Sequence, residues 1–381
     1  MIPLICFSSL VFGNWSLKWN EKDQRFEICY YFFFTSIFMI IYFFYSVFAL
    51  LHNIIKDNSG TVNPQYLIIA LAYFILGVMV LNRLINAGHS ARFADELKRG
   101  CGRTVESGRH LLEFWLRTVG SAALLCMVHF KYRLFTDMPT AAIAVTTTVP
   151  LCCCVYCGST MECQYAAACG ALAQEFASVN RRAGDLGRDL RDQWAAADRL
   201  IRLSDAHCRL ARLVRLFNDE YGAPIFFTTV GLLLCQIFAM NDIVSVVVIS
   251  DLFDATYERY TYVLDVFTWS FAWFRLWWIC YRADELAAQV HLTAKIMLEN
   301  DINSFPEKTR KMALDLLDQL LHRYVRITAW GFYDVNKELL FMVLGYQFGL
   351  CLICTQFTTS GTQLVNNITT VQPNSTTAIE K

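Results

Sequence analysis

Charged side chains are scarce in this sequence. Only 17 % of its 381 residues are Asp, Glu, Lys or Arg, whereas a soluble globular domain carries about 25 %. Hydrophobic residues make up 55 % of the chain, and 29 residues are Phe. This balance excludes an ordinary soluble domain. It predicts an all-α protein that crosses a membrane several times.

Catalytic motifs are missing as well. The sequence contains no Walker loop, no G-x-S-x-G motif and no H-E-x-x-H motif, so we expect no enzyme activity, no catalytic residue and no cofactor. We also expect no nucleic-acid partner. The first residues lack a basic segment followed by a long apolar run, and we therefore predict no cleaved signal peptide.

Cysteine is present but does not predict disulfides. None of the 15 cysteines falls in a predicted outer loop, where oxidation would favour pairing. The run Cys152-Cys153-Cys154 with Cys157 resembles a metal site, but it lies inside a predicted span without a His at ligand spacing. We favour packing by small side chains and expect no metal. Cys157 and Cys163 are candidates for palmitoylation.

Seven stretches are apolar and long enough to cross ~30 Å of hydrocarbon as helices, which takes about 20 residues each. They are residues 28–51, 66–84, 112–130, 141–161, 224–250, 262–280 and 339–357. The spans divide the chain into segments at 1–27 (N-terminal), 28–161 (spans one to four), 162–222 (polar), 223–281 (spans five and six), 282–330 (polar), 331–358 (span seven) and 359–381 (tail).

The two polar segments, 162–222 and 282–330, carry apolar side chains at steps of three and four residues, which indicates amphipathic helices. We expect these helices to pack on each other, with binding to the membrane surface as the alternative. The first is interrupted near Gly184 and Gly187. No breaker follows the sixth span until Pro306, so this helix should extend well beyond the bilayer. The next helix is predicted from its apolar residues Leu314, Leu317, Leu321, Tyr324 and Ile327.

Basic residues are distributed unevenly between the two sides. Of the 33 Lys and Arg residues, 26 lie in the N-terminal segment and in the connections after spans two, four and six, against 5 on the other side. Basic residues favour the cytosol, so we predict a cytosolic N-terminus and an extracellular C-terminus in the plasma membrane. The glycosylation sequons at Asn367 and Asn374 agree with an outward tail.

This orientation is opposite to that of a G-protein-coupled receptor. Glu258-Arg259-Tyr260 resembles a motif of that family, but it follows the fifth span instead of the third. The stretch 331–357 instead combines a Gly-aromatic-aromatic turn, an Asp-Val-Asn step, an apolar run and a terminal Gln356-Phe357. It resembles the C-terminal signature of arthropod gustatory receptors, in which Thr-Tyr stands where this chain has Gly349-Leu350.

The resemblance implies a tetrameric, ligand-gated cation channel, either a homotetramer or a heterotetramer with related receptors. In that family the cytosolic helices form a central anchor and the last span lines the pore for permeant cations. Gln356 and Phe357 match the family's pore constriction. Tyr346, Gly349 and Ile353 share a helical face with them and complete the predicted pore stripe. The alternative is a lipid-facing Phe beside an interfacial Gln.

The resemblance also implies an outward-opening pocket for a small-molecule tastant among spans one to six. Polar and aromatic residues in the outer halves of these spans are the candidates, because polar groups avoid lipid. They are His129, Thr147, Gln236, Asn241, Asp242, Asp265 and Trp269. A Trp with polar neighbours suits a sugar, and aromatic side chains also bind bitter alkaloids. Arg275 either extends to the interface or pairs with a buried acid.

Two other functions compete with a channel. The first is a non-conducting relative with a structural or interaction role, which the replacement of Thr-Tyr favours. The second is a transporter, for which the sequence shows no inverted repeat and no pair of broken helices.

Overall fold

The computed structural model describes residues 17–20, 25–28, 37–38, 40–45, 47–48, 64–100, 119–120, 149–186, 193–249, 256–300, 302, 305–322 and 325–370. Most of the predicted third span lies outside these ranges. So do three predicted site residues, His129, Thr147 and Asn374.

Seven helices and two small hairpins account for most of the described residues, and the described residues among 37–48 and 119–120 are helical as well. The helices are α1 (Pro64–Ile85), α2 (Ala87–Gly100), α3 (Val149–Asp185), α4 (Gln193–Ile249), α5 (Thr256–Glu299), α6 (Glu307–His322) and α7 (Lys337–Thr370). The antiparallel hairpins are β1 (Leu17–Asn20) with β2 (Arg25–Ile28) and β3 (Thr328–Ala329) with β4 (Tyr333–Asp334). The predicted all-α class therefore holds for the described residues apart from these two hairpins.

Two helices are much longer than a membrane is thick. α4 has 57 residues and α5 has 44, which at 1.5 Å per residue gives about 86 and 66 Å. α5 confirms that the predicted sixth span continues as one helix well past its apolar part. α4 likewise runs through the predicted boundary at 222–223 as one helix, with Pro224 inside it.

Among the described residues one segment, Ala196–Ile237, is long and apolar enough to cross a membrane. In the 18-residue apolar stretch of this segment, 56 % of the residues are buried inside the protein. Length and composition alone therefore give weak support for the seven predicted spans.

The packed core lies where the polar segments were predicted to associate. α3, α4 and α5 pack against one another, and their apolar faces bury Phe176, Leu213 and Leu286 almost completely. At one end of this core the rings of Phe93, Tyr165, Phe217 and Tyr221 form an aromatic cluster with centroid separations of 5.1–6.1 Å. Burial raises the pKa of both tyrosines, so they remain neutral here.

The helix predicted after Pro306 is shorter than expected. α6 begins at Glu307 as predicted and ends at His322, so Ile327 is not helical. Its carbonyl oxygen instead accepts a hydrogen bond from the Val335 amide at 2.8 Å, which starts the β3–β4 hairpin. Leu317 is buried, whereas Leu314 and Leu321 are 50 % and 55 % exposed.

The β3–β4 hairpin replaces the predicted end of that helix and leads into α7. Its turn contains Trp330 with φ +51° and Gly331 with φ +75°, and the Phe332 amide donates to the Ala329 carbonyl at 3.0 Å. A positive φ is unusual for a bulky residue such as Trp. The turn predicted at Gly331 is thus confirmed.

The hairpin lies directly on α4. A Cβ at Gly222 would come within 2.9 Å of the Trp330 backbone nitrogen, so only Gly allows this approach. Nearby, the Asn218 amide donates to the Arg326 carbonyl at 2.7 Å, and its oxygen accepts from the Thr328 amide at 3.3 Å. One side chain of α4 therefore satisfies two backbone groups of the segment that precedes α7.

Candidate functional site

The candidate site is built around α7, which packs on α4 and α5. Asn336 caps its N-terminus, since the Asn336 side-chain oxygen accepts a hydrogen bond from the Leu339 amide at 3.1 Å. In the first turn the Lys337 ammonium lies 2.6 Å from an Asp284 carboxylate oxygen. This hydrogen bond raises the pKa of Lys337. The start of α7 is therefore fixed to α5.

α7 has one buried face and one exposed face. Leu339, Val343 and Gln347 recur at every fourth residue and are 4–7 % exposed. The predicted pore residues lie elsewhere on the helix, where Tyr346 is 61 % and Ile353 48 % exposed. Gly349 and Gln356 are exposed too. α7 also continues to Thr370, past the predicted end of the span, so the tail predicted from 359 begins as helix and includes Asn367.

Phe357, the second residue of the predicted constriction, lies in α7, but its side chain is outside the described set. The same holds for Asn241 and Asp242 in α4 and for Asn367 in α7.

Gln236, predicted to bind ligand, joins two helices. It is fully buried, and its Oε1 accepts a hydrogen bond from Gln347 Nε2 of α7. The Nε2 atom of Gln236 has no hydrogen-bond partner among the described residues. The sequence places Gln347 in the predicted last span but gives no reason to pair it with Gln236.

Asp265 and Trp269, two predicted ligand-binding residues, lie one turn apart on α5. Asp265 is 7 % exposed. Trp269 is half-buried and packs edge-on against Trp273, with ring centroids 6.2 Å apart. Both indole N–H groups are buried and without a hydrogen-bond partner among the described residues. The two N–H groups can thus donate to an acceptor from outside this part of the chain.

Arg275 pairs with a buried acid, one of the two outcomes expected for it. Its Nε lies 3.0 Å from Glu162 Oε1 and its Nη2 lies 2.5 Å from the same oxygen. The Glu162 side chain is completely buried and that of Arg275 is 12 % exposed. A Cβ at Gly158 would lie 3.0 Å from Arg275 Nη2. The pair joins α3 to α5 where each enters its predicted span.

A second buried polar group was not predicted. Arg83, at the end of α1, donates to Gln164 at 3.2 Å and lies 3.7 Å from Glu220 and 5.0 Å from the Tyr221 ring centroid. Ser90 of α2 donates to Glu220 at 2.7 Å. These contacts hold the α1–α2 corner on α3 and α4. The available sequence signal was a lone Arg at the end of an apolar helix.

No group of three or more His, Cys, Asp or Glu within the described ranges could hold a metal ion. The side chains of Cys152, Cys153, Cys154 and Cys157 are not described. Cys163 is only 7 % exposed, so the thiol is not accessible for the palmitoylation considered from the sequence.

The family model of the 7tm chemosensory receptor matches residues 3–360. The chain belongs to the 7tm chemosensory receptor family. This membership confirms the resemblance to a chemosensory receptor family and identifies a membrane protein of a receptor family, not of an enzyme family. Among curated proteins, no sequence matches the chain.

The fold agrees with this assignment. The chain is similar to the insect olfactory receptor OR5 from Machilis hrabei, with a TM-score of 0.72 and 12 % identity, covering 93 % of this chain and 97 % of that one. The structure of the same receptor in complex with eugenol gives a TM-score of 0.68 at the same identity and coverage.

We expect Glu162→Gln to destabilise the receptor strongly. The substitution leaves the buried Arg275 guanidinium without a countercharge, and removing one partner of a buried pair costs about 3–5 kcal/mol. The measurement is surface level in cells together with the thermal unfolding midpoint in detergent. Asp198→Asn is the matched control, because it removes the acid of the exposed Asp198–Arg202 pair, and exposed pairs contribute little. Equal, small effects of both variants would show that the Glu162–Arg275 pair has no special structural role.

Proposed function

We propose that this receptor is a gustatory-type chemosensory receptor that acts as a ligand-gated, non-selective cation channel. The observation that carries the proposal is the two-faced α7. It buries the stripe of Leu339, Val343 and Gln347 against α4 and α5. The predicted pore residues Tyr346, Gly349, Ile353 and Gln356 are left exposed. A last span that lines a shared pore needs such a free face. The Gln356-Phe357 ending supports the gustatory type over the olfactory type.

The ligand is a small molecule such as a sugar or a bitter compound, bound in an outward-facing pocket among spans one to six. The indole N–H groups of Trp269 and Trp273 have no partner among the described residues. They support this location beside Asp265, because they offer hydrogen bonds next to flat apolar rings. His129, Thr147, Asn241 and Asp242 complete the proposed pocket. Gln236 is a weaker candidate, because it already binds Gln347. A panel of sugars and bitter alkaloids that evokes no current would refute this ligand class.

The proposed orientation has the N-terminus in the cytosol and the C-terminus outside the plasma membrane, with glycans on Asn367 and Asn374. Its support is the charge distribution, 26 basic residues against 5. We expect an epitope tag placed after Lys381 to be stained in intact, unpermeabilised cells. Staining that requires permeabilisation would refute this orientation and place the C-terminus in the cytosol.

We expect Phe357→Ala to raise the ligand-independent current. Four apolar rings meeting at the axis would close the pore by excluding water, and their removal widens and wets the constriction. Gln356→Ala should instead change ion selectivity or conductance with little extra leak, since it removes amides that can replace ion hydration. The measurement is whole-cell current without ligand, normalised to surface level.

Phe348→Ala is the control for this experiment. Phe348 is 58 % exposed but lies off the proposed stripe, so its truncation should leave the resting current unchanged. Unchanged leak in Phe357→Ala at normal surface levels would refute the proposed gate.

The channel is proposed to be a homotetramer, or a heterotetramer with related receptors, joined by the cytosolic helices. Its support is a set of exposed apolar side chains outside the spans, each 49–57 % accessible, namely Ile201, Leu298, Leu314 and Leu321. A single chain gains nothing from exposing them to water. A second copy would cover them.

We expect the double variant Leu314→Asp with Leu321→Asp to dissociate the complex, because burial of unpaired charge opposes assembly. Leu317 is unsuitable for this test, since it is buried within the chain and its substitution would damage the fold itself. Gln319→Asp adds a charge at an exposed polar position of the same helix and serves as control. The measurement is particle mass in detergent. A double variant that keeps the mass of the unmodified complex would refute this interface.

A non-conducting receptor-like protein is the second candidate. Gly349-Leu350 in place of the family's Thr-Tyr pair favours it, because two hydroxyl groups are lost from the proposed pore helix. A ligand-evoked current from the unmodified protein would exclude it.

A further inference from the structure

The hydrogen bond between Gln236 and Gln347 lies deep within the predicted membrane. Gln347 is ten residues beyond the start of α7, about 15 Å along the helix, and Gln236 is twelve residues beyond Pro224, about 18 Å along α4. Both distances reach the middle of a hydrocarbon layer ~30 Å thick. Gln347 is 5 % exposed and Gln236 is 0 % exposed, so neither amide reaches water.

An amide at this depth has few alternatives to its partner. Lipid offers no hydrogen bond, so a broken pair leaves both side chains unsatisfied. The pair is also incomplete, because Gln236 Nε2 has no partner within the described residues. A turn of both terminal amides would exchange donor and acceptor without moving either helix. The pair therefore requires one rotational setting of α7 against α4, whichever amide donates.

The position of Gln347 on α7 relates this bond to the exposed face. Gln356 follows Gln347 by nine residues, which is about two and a half helical turns, so the two side chains leave opposite sides of the helix. Gly349 and Ile353 lie toward the side of Gln356. A contact that fixes the direction of Gln347 therefore fixes which residues α7 presents on its free face.

We propose that the Gln236–Gln347 hydrogen bond is a positioning contact that sets the rotation of α7 and thereby the balance between the closed and open channel. The inference rests on the proposed function, because it takes α7 as the pore-lining helix. Gln236 acts through Gln347 and does not touch the permeating ion.

The test uses the full-length receptor in cells with Gln236→Met, Gln347→Met and the double variant. Met nearly conserves volume but cannot hydrogen-bond an amide. Interhelical hydrogen bonds in membranes contribute about 0.6–1.7 kcal/mol, so we expect each single variant to shift the half-maximal ligand concentration about 3- to 18-fold, in one common direction. The double variant should match the single variants, because the same bond is lost in all three. Single-channel conductance should stay unchanged.

Thr228→Val is the matched control. Thr228 is a buried polar residue of α4, and its Oγ1 lies 3.9 Å from Met79 Sδ of α1. The substitution therefore removes from the same helix a polar group that faces α1. Its ligand response should be unshifted. The single variants can fail to reach the surface because each leaves one amide unpaired. In that case the half-maximal ligand concentration of the double variant, which leaves no unpaired amide, is compared with that of the unmodified receptor.

Two results would overturn this inference and leave the proposed function intact. The first is a ligand-evoked current whose half-maximal ligand concentration is unshifted in every Gln variant. The second is a shift in the double variant that equals the product of the two single shifts, which would show that the two residues act independently. A purely structural role would lower surface level without moving the half-maximal concentration. An unmodified receptor that never conducts would overturn the proposed function itself, and this inference with it.

Discussion

Polar groups inside this receptor must find their partners within the protein, and the arrangement of the helices depends on that requirement. Glu162 with Arg275 joins α3 to α5, Gln236 with Gln347 joins α4 to α7, and the contacts of Arg83 join α1 to α3 and α4. Hydrophobic contact alone discriminates poorly among helices in lipid, since the tails are as apolar as the side chains. The paired polar groups therefore specify which helix faces meet.

The length of α4 and α5 connects the membrane part of the receptor to its packed core. Both helices run without interruption from the core into a predicted span. The β3–β4 hairpin is held on α4 by Gly222 and Asn218, and the start of α7 is held on α5 by Asp284. The segment that enters α7 is thus fixed at one end to α4 and at the other end to α5.

Features that carry a long-range pattern can be predicted from the sequence. The absence of a breaker after Arg282 predicts the continuous α5, and the apolar run from Leu339 predicts α7. Features that depend on a contact between residues distant in sequence cannot be predicted in this way. Glu162 and Arg275 are 113 residues apart, so a buried acid could be expected for Arg275 but not identified. Nothing in the sequence around Gly222 indicates that the Trp330 backbone packs against it. The strands β3 and β4 have two residues each. They are too short to show in the sequence the alternation of apolar and polar residues that predicts a strand.

The order of synthesis gives the Gln236–Gln347 pair one more consequence. The two residues are separated by 111 positions, and chains grow at about 5–20 residues per second, so Gln236 enters the membrane roughly 6–22 s before its partner exists. During that interval the amide depends on translocon, lipid headgroup or water for a hydrogen bond. Because α7 is the last of the predicted spans to be made, its synthesis supplies the partner that Gln236 in the predicted fifth span lacks until then. Assembly of the receptor thus ends with the helix that the proposed pore requires.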